Sequence, residues 1–301
     1  MEEFLQQLTN GLAVGGIYAL IALGYTMVYG VLRLINFAHV DLFALGAYLG
    51  FSLLTGTGLA TIGNGMTLAI ILVLVALGIV GFAGVMLERV AYRPLRESNR
   101  LAAVVSALGA SIFIQNALML GYGARTQVYP GSILPSIDIA LFGINIPFKR
   151  VVLFAGSIVL MFLLSWFINR TRTGAAVRAV AIDQGAAKLM GIDVNRIIAL
   201  IFFIGPALGG AAGVMVGLHY GSISHDMGLT YGLKAFTAAI LGGIGNIPGA
   251  MVGGILLGVI EALGAAYISI AWKDAIAFFV LILILILRPT GLLGERVAEK
   301  I

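Results

Sequence analysis

Apolar runs recur along the whole chain, at 11–32, 42–54, 67–87, 101–120, 151–168, 197–218, 229–242, 250–268 and 275–287. Their length limits the fold more than any other feature. About 20 apolar residues cross the roughly 30 Å hydrocarbon core of a bilayer as a helix. In that medium every backbone polar group must be satisfied inside the protein, which leaves helices or closed barrels. None of the runs alternates polar and apolar residues as barrel strands do. The fold expected is an all-α polytopic membrane protein of about eight to nine segments, a single domain over residues 1–301. The runs at 42–54, 229–242 and 275–287 are short. They must be extended by polar flanks or stop inside the bilayer.

Composition excludes the soluble alternatives. Charged residues make up 10% of the chain and hydrophobic ones 60%, against roughly 25% charged in a soluble domain. The mean hydropathy of +1.07 agrees. Cysteine is absent, which removes disulfides, thiolate nucleophiles and cysteine zinc sites. The pI near 9.6 reads as loop charge at a membrane rather than as nucleic-acid binding. Met1-Glu2-Glu3 opens acidic, unlike the positive start of a signal peptide, so the first run is expected to stay in the protein.

Basic residues set the orientation. With 89–100 and 170–196 in the cytoplasm, five of the eighteen Lys and Arg residues (Arg125, Lys149, Arg150, Lys234 and Lys273) fall outside or in the membrane. The other thirteen, among them Arg93, Arg178 and Arg296, lie inside. The positive-inside rule then gives an external amino terminus and a cytoplasmic carboxyl terminus. The cytoplasmic loop at about 169–196 is rich in alanine and therefore expected to be helical. Asp183 suits a helix N-cap, Gly191 a C-terminal stop and Asp193 the cap of the next span.

Glycine numbers 41. Gly205, Gly209, Gly213, Gly217 and Gly221 recur every fourth residue and form a drifting stripe for close helix contact. Polar breaks at 33–41 and 241–249 interrupt the apolar pattern. Each is either a re-entrant segment lining a path or a hairpin turn at the surface. Lys234 and Glu261 flank the second break at similar rise and are expected to pair.

Enzymatic motifs are missing. No Gly-Lys dipeptide occurs, so the G-x-x-x-x-G-K-[ST] phosphate loop is absent. The three histidines, His39, His219 and His225, form no metal pattern with a third ligand. Gly109-Ala110-Ser111 with His219 resembles a nucleophile and base, but a G-x-S arises by chance among so many glycines.

Taken together, YALIALGYTMVYG at 18–30, INFAH at 35–39, ERVAYRP at 88–94, KAFTAA at 234–239, LGGIGNIPGA at 241–250 and PTGLLG at 289–294 resemble the permease subunits of bacterial branched-chain amino-acid ABC importers, essentially end to end. Val40 departs from the glycine usual after that histidine. The resemblance implies a multi-pass protein of the inner membrane that binds no cofactor, with ATP and Mg held by partner ATPase subunits. It implies a second permease, two ATPases and an extracytoplasmic binding protein as partners, and no nucleic acid. It makes 169–196 the ATPase-coupling loop, with that role on Gly174, Arg178, Ala179, Ala187 and Gly191. For a zwitterion crossing an apolar path, Asn36, His39, Asp41 and Asn246 are the candidate polar partners. Related permeases for urea, short amides or sugars are the near alternatives. An ion-coupled carrier, which would need intramembrane carboxylates such as Asp41 and Glu261, is the alternative from another class.

Overall fold

The computed structural model describes residues 2–56, 64–96, 99–129, 133–135, 137–141 and 144–294. Arg296 and Lys300, counted above among the inside charges, lie outside the described residues. All nine apolar runs form helices: α1 (Glu2–Leu32), α2 (His39–Gly56), α3 (Gly65–Leu87), α4 (Arg100–Tyr122), α5 (Phe148–Arg170), α8 (Val194–Tyr220), α9 (Met227–Gly242), α10 (Ile247–Tyr267) and α11 (Lys273–Leu287). Two short helices, α6 (Arg172–Ile182) and α7 (Gln184–Leu189), fill the alanine-rich loop. Eight of the described helical stretches are long and apolar enough to cross a bilayer. The chain is a multi-pass membrane protein. α9, with 16 residues, is not among the eight; at about 1.5 Å per residue it reaches only ~24 Å.

Strands interrupt the all-helical expectation. β1 (Gln127–Val128) pairs antiparallel with β4 (Ser222–Ile223), and β2 (Asp138–Leu141) with β3 (Ile144–Pro147). Both pairs lie at one end of the helices, in the segments that carried no long apolar run. The other end is rich in arginine. It collects Arg33, the α3–α4 linker and the α6–α7 segment, tied by hydrogen bonds from Tyr92 to Asn36, Arg96 to Asn195 and Gln184 to the Val31 carbonyl.

α1, α2, α8 and α10 form the centre. Lipid offers no hydrophobic drive for helices to associate, so close backbone packing has to supply it. Glycines permit this at the crossings. Gly46 of α2 sits against the Gly210 backbone of α8, Gly254 and Gly258 of α10 against Ala19 and Gly15 of α1, and Gly205 against Gly24. The stripe on α8 faces inward as its spacing suggests: Gly209 meets the His39 ring, Gly213 the Phe43 carbonyl and Gly217 the Tyr129 ring. Gly221 ends the helix in the left-handed region at φ +70°. α3, α4, α5 and α11 lie outside and expose rows of large apolar side chains, such as Leu74, Phe82, Phe113, Phe162 and Ile286.

The two breaks differ. The α9–α10 turn, at 243–246, lies beside Gly30 near the end of α1 and is a tight hairpin. The break after α1 is re-entrant. Arg33, the one described non-glycine residue with positive φ, reverses the chain at φ +54°. Five further non-helical residues, 34–38, then run back until His39 starts α2, its ring beside Ile21. Ile21 lies eleven residues inside α1, or ~16 Å from its end. Along the break Arg33 is exposed, Leu34, Ile35 and Phe37 are half-buried, and Asn36 and Ala38 are buried, so it is the His39 side chain that reaches this depth. Val40 continues α2 without a positive φ, so the glycine usual at this place is not required for the turn.

Candidate functional site

The re-entrant segment brings three of the four proposed path residues together. His39 is fully buried, and its Nε2 donates to the Ile21 carbonyl at 3.1 Å. Its ring lies edge-on to Tyr25, with centroids 5.0 Å apart. Asn36 Oδ1 accepts from the Tyr92 hydroxyl at 2.8 Å, and its Nδ2 has no partner. Asp41, in the first turn of α2, accepts a hydrogen bond from Ser111 of α4. A Cβ on Gly228 of α9 would come within 2.9 Å of its other oxygen, Oδ1. Three helices therefore close on the start of α2.

Asn246 is elsewhere. Its side chain caps α10 by accepting from Gly249 N, and it donates to the Leu293 carbonyl at 2.7 Å. It clasps the segment after α11 to the α9–α10 turn, where Leu292 N and Leu293 N bond the carbonyls of Leu241 and Gly242. These are end carbonyls of α9 that the helix itself cannot satisfy. Asn246 thus has an architectural task and does not join Asn36, His39 and Asp41.

Lys234 and Glu261 meet at 2.7 Å, both buried. The pair is part of a larger cluster. Lys234 Nζ also lies 2.6 Å from Asp274 of α11, Lys273 lies 3.7 Å from Glu261, and the Tyr18 hydroxyl donates to Glu261 Oε2 at 2.8 Å. Two cations and two carboxylates balance, and they join α1, α9, α10 and α11.

A second ion pair escaped the sequence reading. After α3 the chain makes a π turn (Glu88–Tyr92) and a 3-10 turn (Arg93–Leu95). The wider turn aims both Glu88 and Tyr92 inward. Glu88 pairs with Arg96, whose other nitrogen donates to Asn195 at 2.8 Å. Burial lowers the affinity of Arg96 for its proton, and Glu88 opposes that shift. The charges spaced eight apart in this motif were the available signal.

In the α6–α7 segment the caps fall where the residue types suggest. Asp183 accepts from Ala186 N, Asp193 accepts from Arg196 N, and Gly191 takes φ +82°. The five candidate coupling residues divide. Gly174 is buried, and a Cβ there would collide with the carbonyls of Phe167 and Ile168. Arg178 donates to the Ile168 carbonyl, Ala187 is buried and Ala179 is half-buried. Gly174 and the Arg178 bond tie the segment to α5, Ala187 faces inward, and Arg178 itself stays exposed. Only Gly191 stands in open space. The outward surface is instead made by Ile182, Leu189 and Met190, each more than four-fifths exposed.

Among the described residues, no three His, Asp or Glu side chains converge as a metal site.

Comparison with known proteins agrees with this architecture. Residues 7–285 match the family model described as the permease component of branched-chain amino acid transport systems. The chain is 46% identical to the permease protein BraD of the high-affinity branched-chain amino acid transport system of Pseudomonas aeruginosa, over 99% of this chain and 98% of that one. It is 44% identical to the corresponding LivH of Escherichia coli, with the same coverage. A solved ABC transporter described as of the metal-chelate type, in an inward-facing conformation, shares the fold with a TM-score of 0.50 at 18% identity, covering 94% of this chain and 87% of that one.

Proposed function

The chain belongs to the family of permease components of branched-chain amino acid transport systems, and on that premise we propose that it carries leucine, isoleucine or valine into the cytoplasm of a bacterial cell, across the inner membrane. It is a transport subunit rather than an enzyme. Without a phosphate loop of its own, it draws on ATP and Mg bound by two separate ATPase subunits. A homologous second permease and an extracytoplasmic binding protein complete the assembly. The single domain spans 1–301, with the arginine-rich end in the cytoplasm and the coupling segment at about 169–196. The observation that carries this reading is near-full-length identity of 44–46% to two such permeases.

The geometry suggests how force enters. Ile182, Leu189 and Met190 form the apolar knob that an ATPase groove receives. Gly174, Arg178, Ala179 and Ala187 hold that knob in place, and Gly191 sets its final turn. Gln184 bonds the Val31 carbonyl at 2.9 Å, so a push on α7 reaches the end of α1. From there it passes through the re-entrant segment to Asn36, His39 and Asp41. ATP-driven closure of the partners then rocks the two permeases and opens the path to each side in turn.

The test is co-purification of an ATPase with this chain, together with leucine uptake in cells with and without its gene. Failure of any ATPase to co-purify would return the ion-coupled carrier to consideration. Uptake of another small solute, with leucine uptake unchanged, would overturn the substrate.

A further inference from the structure

Three carboxylates are buried among the described residues: Asp41, Glu88 and Glu261. Two of them hold a cation. Glu88 has Arg96, and Glu261 has Lys234 and Lys273. Asp41 has none. Its one hydrogen-bond donor is the Ser111 hydroxyl, a neutral group. An ionisable group inside a membrane costs a few kcal/mol unless paired, and such groups gather at substrate and ion pathways. The first turn of α2 contributes a favourable dipole, worth at most about 2 kcal/mol. At this one place, among the described residues, the protein buries a carboxyl group without the cation that accompanies the other two.

Asp41 sits where the re-entrant segment ends, and α9 packs closely there because Gly228 and Gly232 carry no side chain that would meet Asp41 and Val40. From the α4 side it is covered by Ser111, a small residue that is only partly buried. α4 is mostly exposed at the edge of the bundle, and Gly109, two residues earlier, has nothing near it. A hydroxyl can donate to the carboxylate and also accept from a cation. We propose that Asp41 and Ser111 form the subsite for the α-ammonium group of the amino acid in transit, the cargo supplying the missing counter-charge. This rests on the amino-acid transport reading above and goes beyond it by assigning the ammonium to one residue pair. His39 and Asn36 then act as positioning residues that fix where α2 begins.

The test uses the whole transport system in cells, with radiolabelled leucine and the wild-type chain as control. Failure of the wild type to take up leucine would strike the transport reading itself; the variants speak only to this subsite. Asp41→Asn keeps the size and an acceptor for Ser111 but loses the charge. Uptake should fall at least tenfold, with membrane abundance and ATPase co-purification unchanged, while Ser111→Ala should lose about threefold. Asp41→Asn uptake above half the wild-type rate would overturn the proposal, because a neutral acceptor would then suffice. Should Asp41→Asn fail to reach the membrane, Ser111→Lys decides, by placing a fixed ammonium on the carboxylate. It should assemble normally and transport less than a tenth as fast. Wild-type uptake by that variant, or its absence from the membrane as well, would overturn the proposal in favour of a purely structural carboxylate.

Discussion

Lys234 has two carboxylates within 2.7 Å and Glu261 has two cations and a tyrosine hydroxyl, so neither charge depends on a single partner. Removing one member of a simple buried pair costs about 3–5 kcal/mol. Here Glu261→Gln leaves Lys234 with Asp274, and Lys234→Met leaves Glu261 with Lys273 and Tyr18. Each single change should therefore lose about 2–3 kcal/mol, below the usual penalty. The double variant should recover about 1 kcal/mol or more of the summed loss. Thermal unfolding of the detergent-solubilised protein would measure this, and strictly additive losses would exclude coupling. The pair itself was legible in the sequence, because two opposite charges at matching rise across a short turn must meet. Asp274 and Lys273 were not, since sequence does not say which helices α11 will touch. Glu88 and Arg96 stayed hidden for another reason. In an ordinary helix residues eight apart lie about 12 Å apart along the axis, and only the π and 3-10 turns after Glu88 bring Arg96 back to it.

At the scale of elements, α3 offers an internal comparison. Pro206 lacks an N–H, so the Phe202 carbonyl of α8 loses its helical donor, and Gly84 of α3 packs against that carbonyl and the proline ring. Gly78, on the same helix, has nothing near the place a Cβ would occupy. Gly84→Ala should destabilise the protein by about 1–3 kcal/mol through overpacking. Gly78→Ala should stabilise it by up to about 1 kcal/mol through helix propensity. Melting temperatures that move in the same direction would refute this packing. The α6–α7 segment gives a second prediction. Leu189→Asp alters no internal contact of a residue that is 90% exposed, so the protein should fold normally. Leucine uptake and ATPase co-purification should both fall at least tenfold, and retention of both would remove the knob from the coupling account. The helices of this segment and their caps were legible, because alanine content and Asp183, Gly191 and Asp193 act locally. Which faces point outward was not, since that depends on how α6 folds back on α5. Small residues suggested a contact surface, but at Gly174 and Ala187 they serve packing within the chain.

At the scale of the molecule, all nine apolar runs became helices, because length and hydropathy are properties a bilayer reads directly. The depth of their ends was another matter. The run at 42–54 does not show that the His39 ring reaches Ile21, since the course of 33–38 depends on long-range contacts such as that of Tyr92 in the π turn with Asn36. Nor do apolar runs announce the two strand pairs, which form where such runs stop. The orientation has a direct check, helped by the absence of native cysteine. Single cysteines replacing Arg125 and Arg172, both exposed and at opposite ends, should differ in intact cells. An impermeant thiol reagent is expected to label position 125 and spare 172. The reverse pattern would invert the topology.

The clasp over the α9–α10 turn bears on how the chain is made. α9 is short and carries a lysine, so it is a poor candidate to enter the bilayer alone; with Glu261 on α10 it can enter as a neutralised hairpin. That hairpin is still unfinished when it arrives, because the donors for Leu241 and Gly242, and the carbonyl held by Asn246, reside at 292–293. These residues leave the ribosome only after α11 has followed. Completion of the turn thus records that translation has passed residue 293, and a polypeptide stalled earlier leaves the Leu241 and Gly242 carbonyls and the Asn246 Nδ2 without these partners.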